Sequence, residues 1–304
     1  MLTAVVCTPT TTWAWPTPSG PSQPTSVQPP TSVLHIRSAK QAAPLYQWPR
    51  LRSDYESLAR RIRPPNKFQR IPEARGSYAY WLRHLPLLPA NTPVRAYDGS
   101  IVQPGNAPLV AAVVDLDVGN RNLQQCWDSL VRIRAEYLWS KKAYQAISFP
   151  YGGRIRFLSW SKWRQGWRPR GRGRHRMLRR VAHADGSRRS FRRYLIHLFR
   201  YTGTIHAYLT QKVRPDQARP GDFFIESGSP GHAVLILDMA KDAAGHRRVL
   251  IGQGFMPAQN FHVLRNAKGA PWFHLDPKTG GITLPMWPGF QWKRLRRFRN
   301  QKAP

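Results

Sequence analysis

The spacing of apolar positions changes along the chain, and these changes divide it into elements. Residues 54–63 support a short helix that Pro64-Pro65 stops. Tyr78, Trp81, Leu82 and Leu85 recur at three and four residues, which predicts a helix over 78–85 ending at Pro86. Residues 93–98 and 109–115 read as strands joined through the Asp98-Gly99 turn, the second a Leu/Val/Ala run suited to a buried position. Leu123, Trp127, Leu130, Arg134, Tyr137 and Leu138 then repeat at helical spacing, predicting the strongest helix of the chain over 123–140, with Asn120 and Asn122 as candidate N-caps. Tyr151-Gly152-Gly153 marks a hairpin turn within 147–158. Residues 160–180 alternate Arg and Gly without an apolar period, which predicts a solvated loop, part of an Arg-rich insertion spanning about 160–190. Phe191, Leu195, Leu198 and Phe199 restart a helical period that closes at Tyr201-Thr202-Gly203, and a second short helix is expected over 204–212.

The most informative stretch runs from Pro220 to Asp238. A Pro-Gly turn feeds a short apolar run, a Gly/Ser/Pro loop follows, and His232 stands at the mouth of a second apolar run. Residues 233–239 and 248–255 read as a hairpin joined through 241–246, and 271–304 as an irregular covering arm with a short helix. The pattern predicts an α+β domain: a central antiparallel sheet, a Cys-bearing helix packed against it, and the Arg-rich insertion.

Composition adds a tether and a partner class. Residues 8–45 are dominated by Thr, Pro and Ser, so 1–50 reads as a disordered tether and 51–304 as a single domain. The first seven residues are apolar but lack the basic start of a secretory signal, and are read as the remnant of an export signal, placing the protein in the periplasm or cell envelope. The formal charge of +33, from 48 Lys+Arg against 15 Asp+Glu, favours a polyanionic neighbour: a cell-wall or other anionic polymer, an anionic lipid or a nucleic acid. For the last, the insertion offers Trp160, Trp163 and Trp167 among its arginines, but a solvated basic loop accounts for them as well. No apolar run reaches the roughly 18 residues of a membrane-spanning helix. Two cysteines, Cys7 and Cys126, exclude a disulfide-rich scaffold and leave room for one bridge between them.

The candidate chemistry centres on Cys126 and His232. Cys126 falls in the first turn of the strongest helix, where free N–H groups and the helix dipole favour a thiolate, although an inward Cys is also an ordinary core residue. A thiol hydrolase needs a base within hydrogen-bond reach of the sulfur and a polar group that orients the base. With the hairpin turn centred near Ala243-Ala244, Gln253 lies diagonally across from His232 on the same face and is the candidate orienter, with Asp238 the alternative. A register slip of one residue turns Gln253 to the other face. Gln124 or Gln125 would support an oxyanion beside the helix N–H groups. Asp222 reads as a residue that ties its turn. His262 and His274 follow no ligand spacing with His232, so no metal or cofactor is expected.

Several segments resemble the family known as domain of unknown function 4846, whose members are bacterial and mostly exported. They include Tyr78-Ala79-Tyr80-Trp81-Leu82-Arg83-His84-Leu85-Pro86-Leu87, Asp117-Val118-Gly119, Leu123-Gln124-Gln125-Cys126, Pro220-Gly221-Asp222, Pro230-Gly231-His232-Ala233 and Met256-Pro257-Ala258-Gln259. The order Cys-helix, Gly-Asp-strand, His-strand is also similar to that of NlpC/P60 and CHAP papain-like hydrolases, which cut amide bonds in cell-wall peptides. That likeness implies a papain-like fold and a cysteine amidase or peptidase, with Cys126 as nucleophile, His232 as base and Gln253 as orienter. Trp127, where the likeness implies a small residue, stands next to the thiol. Two non-enzymatic readings stay open: an envelope protein that binds an anionic polymer on the same scaffold, and a nucleic-acid-binding module.

Overall fold

The computed structural model describes residues 45–299 apart from 286, all within one compact unit. The expected tether and export-signal remnant, and Cys7, fall outside the described residues. The packed chain begins before Leu51. Tyr46 and Trp48 are buried, the Tyr46 hydroxyl donating to Trp81 O (2.8 Å) and the Trp48 indole N–H to Asp115 O (2.7 Å).

Among the described residues five α-helices form: α1 (Leu58–Arg61), α2 (Tyr78–Arg83), α3 (Cys126–Ser140), α4 (Trp160–Arg164) and α5 (Arg188–Tyr201). Serine side chains cap four of them, Ser57, Ser77, Ser159 and Ser187 each accepting a first-turn N–H. α3 starts three residues later than its apolar spacing suggests, because Gln125 is its N-cap and the Asp128 carboxylate accepts the Gln125 N–H (3.3 Å).

The main sheet has nine strands: β1 (Gln69–Arg70), β2 (Val110–Val113), β3 (Gln211–Lys212), β4 (Phe223–Glu226), β5 (His232–Lys241), β6 (Arg247–Gln253), β7 (His262–Leu264), β8 (Trp272–Leu275) and β9 (Leu295–Arg297). They run β3-β9-β4-β5-β6-β7-β2, with β8 also on β6 and β1 on β5, and every pairing is antiparallel. The fold is thus mixed helix and sheet around a large antiparallel sheet. Alternation along β5 divides the core: Ala233, Leu235, Leu237 and Ala240 pack with the helices, while Val234, Ile236 and Met239 pack with Phe273, Leu275, Ile282 and Phe290.

Three expectations change. The Asp98-Gly99 turn joins Val94–Arg95 to Ile101–Gln103 in a small hairpin of their own, not to β2. The insertion is not a solvated loop: Trp160 and Trp163 are buried on α4, and Trp167–Arg170 pairs with Met177–Arg180 as an ordered hairpin. The Arg168 guanidinium stacks 3.9 Å over the Trp163 ring and donates to the Trp163 and Trp167 carbonyls. Arginine and tryptophan supply here the packing that an apolar period supplies elsewhere. The C-terminal arm is also ordered, Gly281–Leu284 pairing with Trp287–Gln291.

Candidate functional site

Cys126 is the first residue of α3 and a free thiol, 4% exposed. The helix start is held by a buried ionic network. Arg132 donates to Glu136 (2.6 Å), Asp117 (2.8 Å) and Gln124 Oε1 (3.1 Å), while Arg188 and Arg192 on α5 reach Glu136 (2.5 Å) and Asp117 (3.1 Å). The first turn packs on the sheet at Gly254, where a Cβ would stand 2.4 Å from the Ser129 hydroxyl oxygen, so only glycine lets the helix approach. Burial pushes the Cys126 thiol up to about 11, and the Asp128 carboxyl adds to the effect; the N–H groups of Trp127, Ala233 and Cys126 itself oppose it. The helix start therefore does not lower this thiol as its position in sequence suggests, because desolvation outweighs the donors.

His232 opens β5, fully buried among Phe255, Trp287 and Phe290, with ring centroids 4.9, 5.0 and 6.1 Å away. Its Nε2 lies 2.7 Å from Gln253 Oε1. The expected diagonal pair forms, though by an indirect route. Near the turn the register is Lys241↔Arg247 and Asp238↔Leu250, which, carried on, would set Gln253 opposite Leu235 and on the wrong face. A bulge at Leu237 absorbs one residue, Leu235 pairs Gly252, and Gln253 falls opposite Val234, on the side of His232.

The third member of this row is His262 on β7, directly opposite Gln253. Its Nδ1 lies 3.0 Å from the Asn260 carbonyl and its Nε2 3.3 Å from Gln253 Nε2. A carbonyl only accepts, so His262 Nδ1 carries the proton and its Nε2 a lone pair. Gln253 must then present its N–H to His262 and its oxygen to His232, so His232 Nε2–H donates and Nδ1 is left as a lone pair. His232 Nδ1 is buried and has no hydrogen-bond partner among the described residues, the sulfur included. Burial lowers both imidazoles to about 4, so each is neutral near pH 7; Gln253 opposes the shift at His232 and the Asn260 carbonyl opposes it at His262.

The other candidates lie elsewhere. Gln124 donates to Asp117 O (3.1 Å) and accepts from Arg132 and Arg192 (3.1 and 3.2 Å), so it belongs to the ionic network and not to an oxyanion site. The Gln125 side-chain amide is turned to Asn122 Oδ1 (3.0 Å). Asp222 ties its turn, accepting from the Arg219 N–H (2.9 Å) and from Arg297 (2.5 and 2.7 Å). Asp238 sits beside the bulge and pairs with Arg70 (2.6 Å) and Arg83 (2.8 Å), which occupies it away from His232. His274 is the exposed residue of β8. Among the described residues no group of three or more His, Cys, Asp or Glu is placed to hold a metal ion. A groove of about 700 Å³ runs along β2 between Arg61 and Arg265 and includes none of Cys126, His232 or Gln253.

Sequence reasoning missed His262 as a member of the row because strand pairing, not ligand spacing, brings it to Gln253. It also missed Asp128, whose place three residues after the N-cap was readable as a capping signal. No curated protein and no solved structure matches the chain. The model of one family, Domain of unknown function (4846), matches residues 58–297, and the chain belongs to that family.

Proposed function

We propose that this chain is a papain-like thiol hydrolase that cleaves peptide amides of the bacterial envelope by acyl transfer. One observation carries the reading: His232 is held by Gln253 with a bare Nδ1, one residue before Ala233, whose N–H lies against the Cys126 sulfur. In the reaction the thiol proton passes to His232 Nδ1 as the sulfur attacks the amide carbon. The C–N bond then breaks, the amine leaves with the proton held by His232, and a Cys126 thioester remains. Water, giving its proton to His232, hydrolyses the thioester and returns the thiol. The Gln253 oxygen, accepting from Nε2–H, stabilises the imidazolium formed in each half. At rest the imidazole lies under Trp287 on the face of β5 away from α3, so opening of the hairpin that carries Trp287 and a turn of the β5 start that brings His232 Nδ1 to the sulfur precede catalysis.

A second reading, a non-catalytic envelope protein on the same scaffold, is favoured by the sealed thiol near 11 and by strand alternation, which turns Ala233 and not His232 toward α3. Labelling with a thiol-directed probe, wild type against His232→Ala, separates the two. The hydrolase reading expects faster labelling in the wild type and loss of amidase activity on wall peptides in Cys126→Ala. Equal, slow labelling of both proteins leaves the scaffold reading standing.

A further inference from the structure

Between residues 160 and 201 the chain carries fourteen Lys+Arg and a single acid, Asp185, which Arg193 takes at 2.9 Å. Arg170, Arg172 and Arg174, with Arg154 and Arg200 close by, are exposed. None of these five makes an ion pair among the described residues. They sit on one continuous surface. A Cβ on Gly153 would meet the Arg174 backbone at 2.6 Å, which sets the tip of the insertion against the hairpin of Ser148–Gly152 and Arg156–Ser159. From there Arg154 reaches Met177 Sδ (3.9 Å), the Arg176 guanidinium lies 4.3 Å over Tyr201, Tyr201 is 6.4 Å from Tyr151, and the Tyr208 hydroxyl lies 3.8 Å from the Cβ position of Gly152.

The same surface exposes large apolar groups: Ile205 61%, Tyr208 67%, Met177 42% and Tyr201 37%. Ile205 and Tyr208 are three apart on the 3₁₀ turn Thr204–Leu209, so their side chains eclipse on its outer side while Ala207 and Leu209 anchor the inner one. Positive potential extends inward: His197 beneath this face is lowered to about 4 by burial and then by Arg176, Arg200, Arg168 and Arg170.

We propose that this face docks the protein on an anionic phospholipid surface, with the arginines on headgroup phosphates and Ile205 and Tyr208 in the interfacial layer. Charge alone admits any polyanion. The interleaved aliphatic side chains select lipid, because a phosphodiester chain offers Ile205 and Met177 no apolar layer, whereas an interface takes guanidinium, tyrosine and aliphatic groups together. This inference stands independently of the thiol site.

The test is co-sedimentation of the full chain with vesicles of phosphatidylglycerol and phosphatidylcholine, and with phosphatidylcholine alone. Ile205→Ser/Tyr208→Ser leaves the net charge unchanged and removes only exposed side chains. It is expected to weaken binding to anionic vesicles about tenfold or more and to leave binding of a single-stranded oligonucleotide unchanged. Arg170→Gln/Arg172→Gln/Arg174→Gln should weaken vesicle binding more than the equal charge change Arg121→Gln/Lys268→Gln/Lys278→Gln. Wild-type vesicle binding by the Ile205/Tyr208 variant overturns the proposal. So does equal loss in the two charge variants, which would assign the binding to bulk charge. Tighter binding to the oligonucleotide than to vesicles, with only the arginine variant affected, would make this a nucleic-acid face instead.

Discussion

The neutral histidine row makes fold stability depend on pH in a defined window. His232 and His262 are fully buried and lowered to about 4, against an ordinary value of 6.5. Below pH 6.5 the unfolded chain binds two protons that the folded chain refuses until about pH 4. Stability is therefore complete above pH 6.5 and falls as pH drops toward 4. A gap of about 2.5 pH units at about 1.4 kcal/mol each comes to roughly 3 kcal/mol per histidine. The pair then amounts to at most roughly 7 kcal/mol, comparable with the whole stability of an ordinary domain. Asp128, pushed well up by burial, acts with the opposite sign in this window, so the quantity to measure is the difference between wild type and variant. His262→Gln keeps an acceptor for the Gln253 N–H and removes one titrating group. Urea unfolding followed by tryptophan fluorescence at pH 7, 6 and 5 should show the wild type losing about 0.7 kcal/mol more than the variant between pH 7 and 6 and about 1.2 kcal/mol more between pH 6 and 5. Equal slopes for the two proteins would refute the argument, since a solvated or already charged His262 has no such linkage.

Three further perturbations test the frame of the site. Arg132→Met leaves Glu136, 1% exposed, with only its bond to Arg188, and should cost about 3–5 kcal/mol in urea unfolding; a loss under 1 kcal/mol would mean the network is solvated. Asp128→Asn removes a carboxyl that raises the thiol, so the pH profile of Cys126 alkylation should move to lower pH, and an unmoved profile would count against the assigned cause. Gly166 has φ +92° and a Cβ there would stand 1.9 Å from the Ala182 carbonyl oxygen, so Gly166→Ala should loosen the Arg-rich hairpin and speed tryptic cleavage at its arginines; unchanged cleavage would contradict the close packing.

The helices over 78–83, 126–140 and 188–201 were legible from apolar residues at helical spacing, and the β5–β6 hairpin from a continuous apolar run bounded by turn signals, β5 being buried on both faces. The insertion was not, since Trp163 is packed under Arg168 and a guanidinium scores as solvated in any hydrophobic pattern. The His232–Gln253 pair was legible only as a conditional, because its register depends on the Leu237 bulge, which no turn signal announces. Burial of the site was not legible either. Nothing local to His232 tells of Trp287, whose ring closes to 5.0 Å from the imidazole.

The arginines obey one rule in the core and another on the surface, and salt distinguishes the two. With 48 cations and 15 anions, most cations have no carboxylate available. The buried and half-buried arginines Arg132, Arg83 and Arg297 hold the buried carboxylates Glu136, Asp238 and Asp222, while Asp54, Asp185 and Asp216 pair with exposed arginines. The excess stays outside, where its mutual repulsion opposes the compact state. Raising ionic strength from about 0.01 to 0.15 M shortens the screening length from about 30 to 8 Å, which weakens repulsion among exposed arginines and reaches buried pairs much less. Thermal unfolding should therefore shift to higher temperature over that range, with neutral salts of different anions giving similar shifts. A fall in melting temperature would mean that exposed ion pairs, not buried ones, dominate the electrostatics of the fold, against the distribution of carboxylates seen here.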